Sequence, residues 1–162
     1  MHIHIIAIGQ KMPSWVQEAC DQYSQRLMGM GATCQLTQIP LGKRKDPKQS
    51  QKMMRTEAEL LWAATKKTDH VIALERTGKT FSTEKWAERL SLWQLEGKNI
   101  SLLLGGPEGH TKETLNKAHE VWSLSSLTLP HTLARIILCE QFYRAFSILN
   151  NHPYHRGPSE NG

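Results

Sequence analysis

Apolar and polar positions along the chain switch repeatedly between a period of two and a period near 3.6, and the switches predict five strands alternating with five helices. HIHIIAIG, His2 to Gly9, alternates and then runs apolar, as a first strand ending at Gly9 should. Pro13 and Ser14 open a helix through Met28, with Trp15, Val16, Ala19, Cys20, Tyr23 and Leu27 on one face. TCQLTQIP, Thr33 to Pro40, alternates as a second strand and runs into the basic loop LGKRKDPKQS. A helix from Pro47 to Thr65 follows, carrying Met53, Met54, Leu60, Leu61 and Trp62. DHVIALE, Asp69 to Glu75, is short, apolar and β-branched, the pattern of a buried third strand, with RTGKT as the loop behind it. The next helix, Thr83 to Leu95, turns Trp86, Leu90 and Trp93 inward and stops at Gly97. A fourth strand, Asn99 to Leu104, breaks into Gly105-Gly106-Pro107-Glu108-Gly109, and a helix from Thr111 to His119 leads to a fifth strand, Val121 to Leu129.

That alternation predicts one α/β domain with a mainly parallel sheet and helices on both faces. The stretch WSLSSLTLPH, Trp122 to His131, organises the rest, because an apolar strand that stops at a proline and re-enters a helix is a strand-to-helix corner. Open α/β sheets bind ligands at such corners. The helix behind it, His131 to Leu149, is apolar around most of its circumference, at Leu133, Ile136, Ile137, Leu138, Phe142, Tyr143, Phe146 and Leu149. Its polar strip is narrow: Arg135, Glu140, Gln141 and Arg144, with Glu140 and Arg144 spaced to pair at i,i+4. So apolar a helix needs cover on two sides, and a second copy of the chain is the expected second cover, which predicts a homodimer.

Composition narrows the class. The 162 residues, 39% of them hydrophobic, fit one domain that buries a core. No run approaches the roughly 18 apolar residues of a membrane span, and Met1-His2-Ile3-His4 lacks the basic start of a secretion signal, so the chain is expected in the cytoplasm and away from membranes. Cys20, Cys34 and Cys139 are too few and too far apart for a disulfide framework or a zinc pattern. The net charge of +5 is concentrated: Lys43, Arg44, Lys45, Lys48, Lys52 and Arg55 face only Asp46 between Lys43 and Arg55. A positive field that local suits contact with a phosphate backbone; a solvated loop and helix face is the plainer alternative.

Most of the motifs are ambiguous alone. Gly78-Lys79-Thr80 ends like a phosphate-binding loop, but the glycine required five residues before Gly78 is Ala73, which argues against a nucleotide triphosphatase. The Gly105 to Gly109 turn permits close backbone approach to a ligand or is simply structural. His152 and His155 flank Pro153-Tyr154 with no carboxylate or cysteine nearby to complete a metal shell, so no metal is expected. Together these features describe an α/β ligand-binding protein with a basic surface.

Four segments carry a more specific resemblance: GGPEG, WSLSSLTLPHTLAR, EQFYRAFSI and NNHPYHR resemble the ribosomal RNA large subunit methyltransferase H family, of the SPOUT class. The similarity runs in order from Ile5 to Arg156. It implies residues 1–156 as one SPOUT domain with a trefoil knot at its carboxyl end, and 157–162, GPSENG, as a flexible tail that extends past the point where many members stop. Thr132 also departs from the family, standing where a proline often follows LPH. The resemblance further implies S-adenosylmethionine as methyl donor and N3 of a pseudouridine in a hairpin loop of 23S rRNA as acceptor, in a homodimer acting on assembled ribosomes. It maps the donor site onto Leu74, Gly105, Leu124, Ser125, Ser126, Leu127, Thr128 and Leu129.

N3 of a uracil ring carries a proton that must leave before or during transfer, so a base or a cation favouring the deprotonated ring is expected. The candidates are His155 as proton acceptor, Arg156 and Arg144 as anchors for phosphate or ring anion, and Tyr154 as stacking platform, with Glu140 orienting Arg144. Lys43, Arg44 and Lys45 are assigned to the RNA backbone. Two rivals stand beside this reading: a non-catalytic ribosome-binding factor, separable by S-adenosylmethionine binding, and a methyltransferase of the same fold class acting on tRNA.

Overall fold

Strands β1 (His2–Gly9), β2 (Thr33–Pro40), β3 (His70–Lys79), β4 (Ile100–Leu104) and β5 (Glu120–Trp122) form one sheet in the order β2-β1-β4-β3-β5, every pair parallel, in a computed structural model that describes residues 1–9 and 11–156. Residues 157–162, expected as a flexible tail, lie outside the described residues. β4 is buried at every position and sits inside the sheet beside β1; four of its five residues are apolar, as cover on both faces demands, and Ser101 is satisfied by donating to Asp69 Oδ2 at 2.7 Å. The alternating β2 takes an edge.

Helices cover both faces, as the pattern predicts. α1 (Ser14–Met28), α3 (Thr83–Leu95) and α5 (His131–Leu149) pack on one side, where Val16, Leu90, Leu138 and Phe142 meet Ile3, Ile5, Ile72 and Leu102. α2 (Pro47–Ala64) covers the other with Leu61 against Ile6, Ile8, Val71 and Leu103. The short α4 (Lys112–Lys117) is tied to α2 where Trp62 Nε1 donates to Thr114 Oγ1 at 3.1 Å. Asp46, Ser82 and Thr111 cap α2, α3 and α4 by accepting from the backbone N–H three residues on.

Four expectations need correction. The third strand does not end at Glu75: it pairs with β5 up to Leu74, bulges outward, and rejoins the same partner, Trp122, at Lys79. Glu75 to Gly78 is therefore a bulge within β3, and a Cβ at Gly78 would stand 2.5 Å from the Trp122 carbonyl carbon, so the close return needs glycine. The fifth strand stops at Trp122 rather than Leu129. Beyond it the bulge offers no continuous partner, and serines bond locally instead: Ser123 Oγ donates to the Ser125 carbonyl, and Leu127 N–H donates to Ser125 Oγ. Trp15, expected on the inner face of α1, is 52% exposed.

The fourth correction concerns α5. Arg135, expected on its polar strip, is 1% exposed, next to Gly9 and Met12, and among the described residues its Nε and Nη2 meet no hydrogen-bond partner. Burial holds its pKa below the ordinary arginine value. The apolar circumference of α5 is covered largely within the chain, by α1 and α3, leaving Leu133 exposed. A helix wedged between two others needs no second molecule for most of its surface. The three cysteines, distant in sequence, meet in the fold, where the neighbouring Cys20 and Cys34 thiols, with burial, hold the Cys139 thiol protonated.

Candidate active site

A cavity of about 450 Å³ opens at the carboxyl ends of β3, β4 and β5. Three separate loops wall it: Leu74 to Thr77 from the β3 bulge, Leu104 to Gly109 after β4, and Ser123 to Leu129 after β5, with His131 and Ala134 of α5 closing one side. The volume lies in the range of small-molecule sites, and a wall of leucines with a few polar groups is their usual composition. At Gly105 a Cβ would come within 2.9 Å of the Gly109 backbone, so the turn is folded tightly on itself and only glycine permits it. Gly109 adopts φ +81, and a Cβ there would stand 3.1 Å from a Glu75 carboxylate oxygen. Glu75 in turn accepts from the His110 N–H at 3.3 Å, so the bulge and the glycine turn brace each other across the cavity.

Two further contacts hold the turn from behind. His110 Nε2 donates to the Leu103 carbonyl at 2.9 Å, and burial lowers the pKa of its ring below 6.5. Glu108 receives Nε and Nη2 of Arg44 at 2.6 and 3.1 Å, and the same guanidinium grips Glu57 of α2. Arg44 holds the Glu108 carboxyl below its ordinary pKa, and the two glutamates raise that of Arg44.

The carboxyl-terminal tail lies elsewhere. After α5 the chain turns at Asn151, φ 54, into a 3₁₀ turn at Pro153–Arg156. The tail folds back along α5: the Tyr154 ring packs on Tyr143 with centroids 4.4 Å apart, and its hydroxyl donates to Glu140 Oε1 at 3.2 Å. Arg144 pairs with Glu140 at 2.6 Å, as the spacing predicts, and stands 4.8 Å from the centre of the Tyr154 ring. Burial, then Tyr23 and Glu140, raises the pKa of Tyr154. His155 Nδ1 lies 2.5 Å from the His152 carbonyl. A carbonyl only accepts, so Nδ1 carries the proton and Nε2 of the neutral ring keeps its lone pair.

The structure thus brings together Leu74, Gly105, Leu124, Ser125, Leu127, Thr128 and Leu129 around one cavity, and of the eight mapped positions only Ser126 is not on its wall. It brings Arg144, Tyr154, His155 and Arg156 together at the far end of α5, and none of these lines the cavity. Lys43 and Lys45 are exposed, whereas Arg44 between them points inward onto carboxylates, away from solvent. Sequence reasoning missed Glu75, Arg76 and Thr77 as wall residues, because RTGKT is legible only as a failed phosphate loop. It also missed the Glu108 clamp, although the lone acid in GGPEG was a signal. Among the described residues no group of three His, Cys, Asp or Glu side chains is placed to hold a metal ion, and no helix is long and apolar enough to cross a membrane.

Comparison with known proteins agrees with this architecture. Residues 1–155 match the family model described as "Predicted SPOUT methyltransferase". Proteins named ribosomal RNA large subunit methyltransferase H are similar throughout: that of Marinomonas sp. (strain MWYL1) is 44% identical over 96% of this chain and 100% of its own length, and that of Dichelobacter nodosus (strain VCS1703A) is 46% identical over 96% and 99%. Among solved structures, a probable methylase family protein from Haemophilus influenzae Rd KW20 superposes with a TM-score of 0.57 at 18% identity, covering 92% of this chain and 66% of that one. TrmJ from Z. mobilis ZM4 superposes at 0.50 and 14% identity, over 88% and 69%. These two likenesses speak for the fold alone. Match along nearly the whole length, together with a glycine-walled cavity at the strand ends, makes the chain a methyltransferase belonging to the SPOUT family, in its ribosomal RNA large subunit methyltransferase H branch.

Proposed function

We propose that the protein methylates N3 of a pseudouridine in a hairpin loop of 23S rRNA, using S-adenosylmethionine, as a homodimer in the cytoplasm acting on assembled ribosomes. The observation that carries this reading is the convergence of seven of the eight positions mapped to the donor onto one cavity. The residues fit such a donor: leucines offer an apolar slot for a flat ring, and the folded-back glycine turn leaves its backbone open to close approach. The donor supplies an electrophilic methyl group. Three loops meeting at one cavity is also what the proposed trefoil knot would produce.

The protein's own task is to place the acceptor and move one proton. In this reading His155 Nε2 accepts the N3 proton, Arg156 and Arg144 hold phosphate or ring anion, and Tyr154, fixed on Tyr143 and Glu140, offers a face for stacking. These groups stand apart from the cavity of their own chain. Even at Glu140, the farthest point the tail reaches back, the axial distance to His131 is about 14 Å at 1.5 Å per residue. A second copy that laid its tail across the first copy's cavity would close that gap, which is the argument for the homodimer; exposed Leu133 and Trp15, on helices that pack together, offer apolar surface for it. Lys43 and Lys45 are exposed on either side of Arg44 and suit the rRNA backbone, while Arg44 shapes the loop that carries them.

Methyl incorporation into tRNA, free rRNA and whole ribosomes tests the proposal, followed by mass-spectrometric location of the product. Ribosomes should be labelled far above the others, at N3 of a pseudouridine in the large subunit. Labelling confined to tRNA would reject the acceptor, and failure to bind S-adenosylmethionine would favour a non-catalytic ribosome-binding factor.

A further inference from the structure

Arg44 lies in the most basic stretch of the chain, yet all five of its N–H groups are committed inside the protein. Nε and Nη2 fork onto both oxygens of Glu108 at 2.6 and 3.1 Å. Nη2 and Nη1 fork onto both oxygens of Glu57 at 2.5 and 2.9 Å, and the remaining Nη1 hydrogen goes to the Gly42 carbonyl at 2.5 Å. A guanidinium has five donors and no more, so none remains for a phosphate. The side chain is 13% exposed, Glu57 7% and Glu108 30%, so the Glu57 pair is shielded from solvent and the Glu108 pair, partly open to it, depends on its two-bond geometry.

The arrangement joins three elements. Glu57 belongs to α2 and also accepts from the Gly42 N–H at 2.9 Å, while Glu108 sits in the glycine turn on the cavity wall. Packing follows the same line: a Cβ at Gly42 would stand 2.3 Å from Met53 Sδ, and one at Gly106 would stand 3.4 Å from Leu41 Cδ1. The basic loop is thus pressed between α2 and the glycine turn. Without Arg44, Glu57 and Glu108 would face each other as like charges, and the turn would lose its rear anchor.

We propose that Arg44 is a positioning residue of the donor cavity: by forking onto Glu108 it sets the shape of the Gly105–Gly109 wall, and Lys43 and Lys45 alone serve the outer surface. This rests on the reading of that cavity as the S-adenosylmethionine site. Two parallel N–H···O bonds to each carboxylate demand a planar guanidinium, so lysine should not substitute.

The test is calorimetric titration of the full chain and of Arg44→Gln, Arg44→Lys and Glu108→Gln with S-adenosylmethionine and with S-adenosylhomocysteine, whose sulfur is uncharged. Both Arg44 variants should weaken both ligands alike, by about tenfold or more, the scale on which a misplaced site is felt. Glu108→Gln should weaken them less, because one amide oxygen still accepts. In steady-state assays the KM for the donor should rise more than kcat falls. Should Arg44→Gln unfold, Glu108→Gln carries the test, since it leaves the Glu57 fork intact. Wild-type affinity in the variant that folds, full rescue by lysine, or a change confined to the charged sulfonium ligand would each overturn the proposal. If the unaltered protein binds neither ligand, the donor reading itself fails and takes this role with it.

Discussion

The two ends of α5 are built on opposite principles. At its amino end three loops and two glycines leave a cavity, and the surrounding charges, Glu75, Glu108 and Arg44, are spent on holding backbone in place. At its carboxyl end aromatic rings and an ion pair clamp a short turn so that histidine and arginine stand near the surface. The proposed function gives the first end a small molecule to enclose and the second a large one to meet. The helix between them, nineteen residues and so about 28 Å long, keeps them from meeting within one chain.

The most drastic way to break the amino end is Gly105→Val. The added carbons would begin 2.9 Å from the Gly109 backbone, which is not a flexible side chain that can swing away. Donor binding in calorimetry should fall by roughly tenfold to a hundredfold, the equivalent of the about 1–3 kcal/mol that overpacking a filled site costs. Ribosome binding should survive, because the tail and the lysines are untouched. Undiminished donor affinity would mean that the glycine turn is not part of that site.

His155→Ala and Arg156→Ala act on the other end and should do the reverse, leaving donor affinity near normal while lowering the single-turnover rate on ribosomes by 10² to 10⁴, about the contribution of a positioned proton acceptor. Mixing the two kinds of variant sharpens the comparison. Dimers reassembled from Gly105→Val and His155→Ala chains contain one intact cavity and one intact tail, on different chains. Activity should reappear if each cavity works with the partner's tail, and should stay absent if each chain works alone.

Periodicity in the sequence was enough to place all five strands and five helices in order, because a buried parallel strand or a two-sided helix must be apolar in a recognisable rhythm. It failed where the chain obeys a partner rather than its own pattern. WSLSSLTLP has the composition of a strand, but the bulge at Glu75 to Gly78 removes the edge it would pair with, and a bulge leaves no period to read. Arg135 looked like polar surface by position alone, and nothing beside Arg44 announced its inward pairing; the burial of each is set by residues distant in sequence, Gly9 and Met12 in one case, Glu57 and Glu108 in the other. The positions mapped to the donor came from the resemblance, since spacing cannot show that loops at 74, 105 and 124 converge on one cavity.

A milder perturbation lies outside the amino end, at the exposed lysines beside the clamp. Lys43→Gln with Lys45→Gln should weaken ribosome binding and reduce its salt slope by about one to two contacts' worth, with donor affinity unchanged. An identical slope would remove this loop from the RNA surface and leave the tail as its main contact.

The smallest effect expected is acid sensitivity of the amino end through His110. Its ring donates to the Leu103 carbonyl beneath the glycine turn, and burial lowers its pKa below 6.5. The unfolded chain therefore binds a proton below about pH 6.5 that the fold refuses, so stability present above that pH is lost as pH falls towards the folded value. His4, His70 and His131 are lowered too, each chiefly by burial, so the melting temperature of the unaltered protein should drop between pH 7.5 and 5.5. His110→Gln keeps a donor for the Leu103 carbonyl but no longer titrates; its melting temperature should fall less over that range. Donor affinity separates a local role from a global one: if His110 supports the turn, the unaltered protein should lose affinity in the same window and His110→Gln should lose less. Parallel pH profiles for both proteins would assign the acid response to the other buried histidines and leave the glycine turn indifferent to pH.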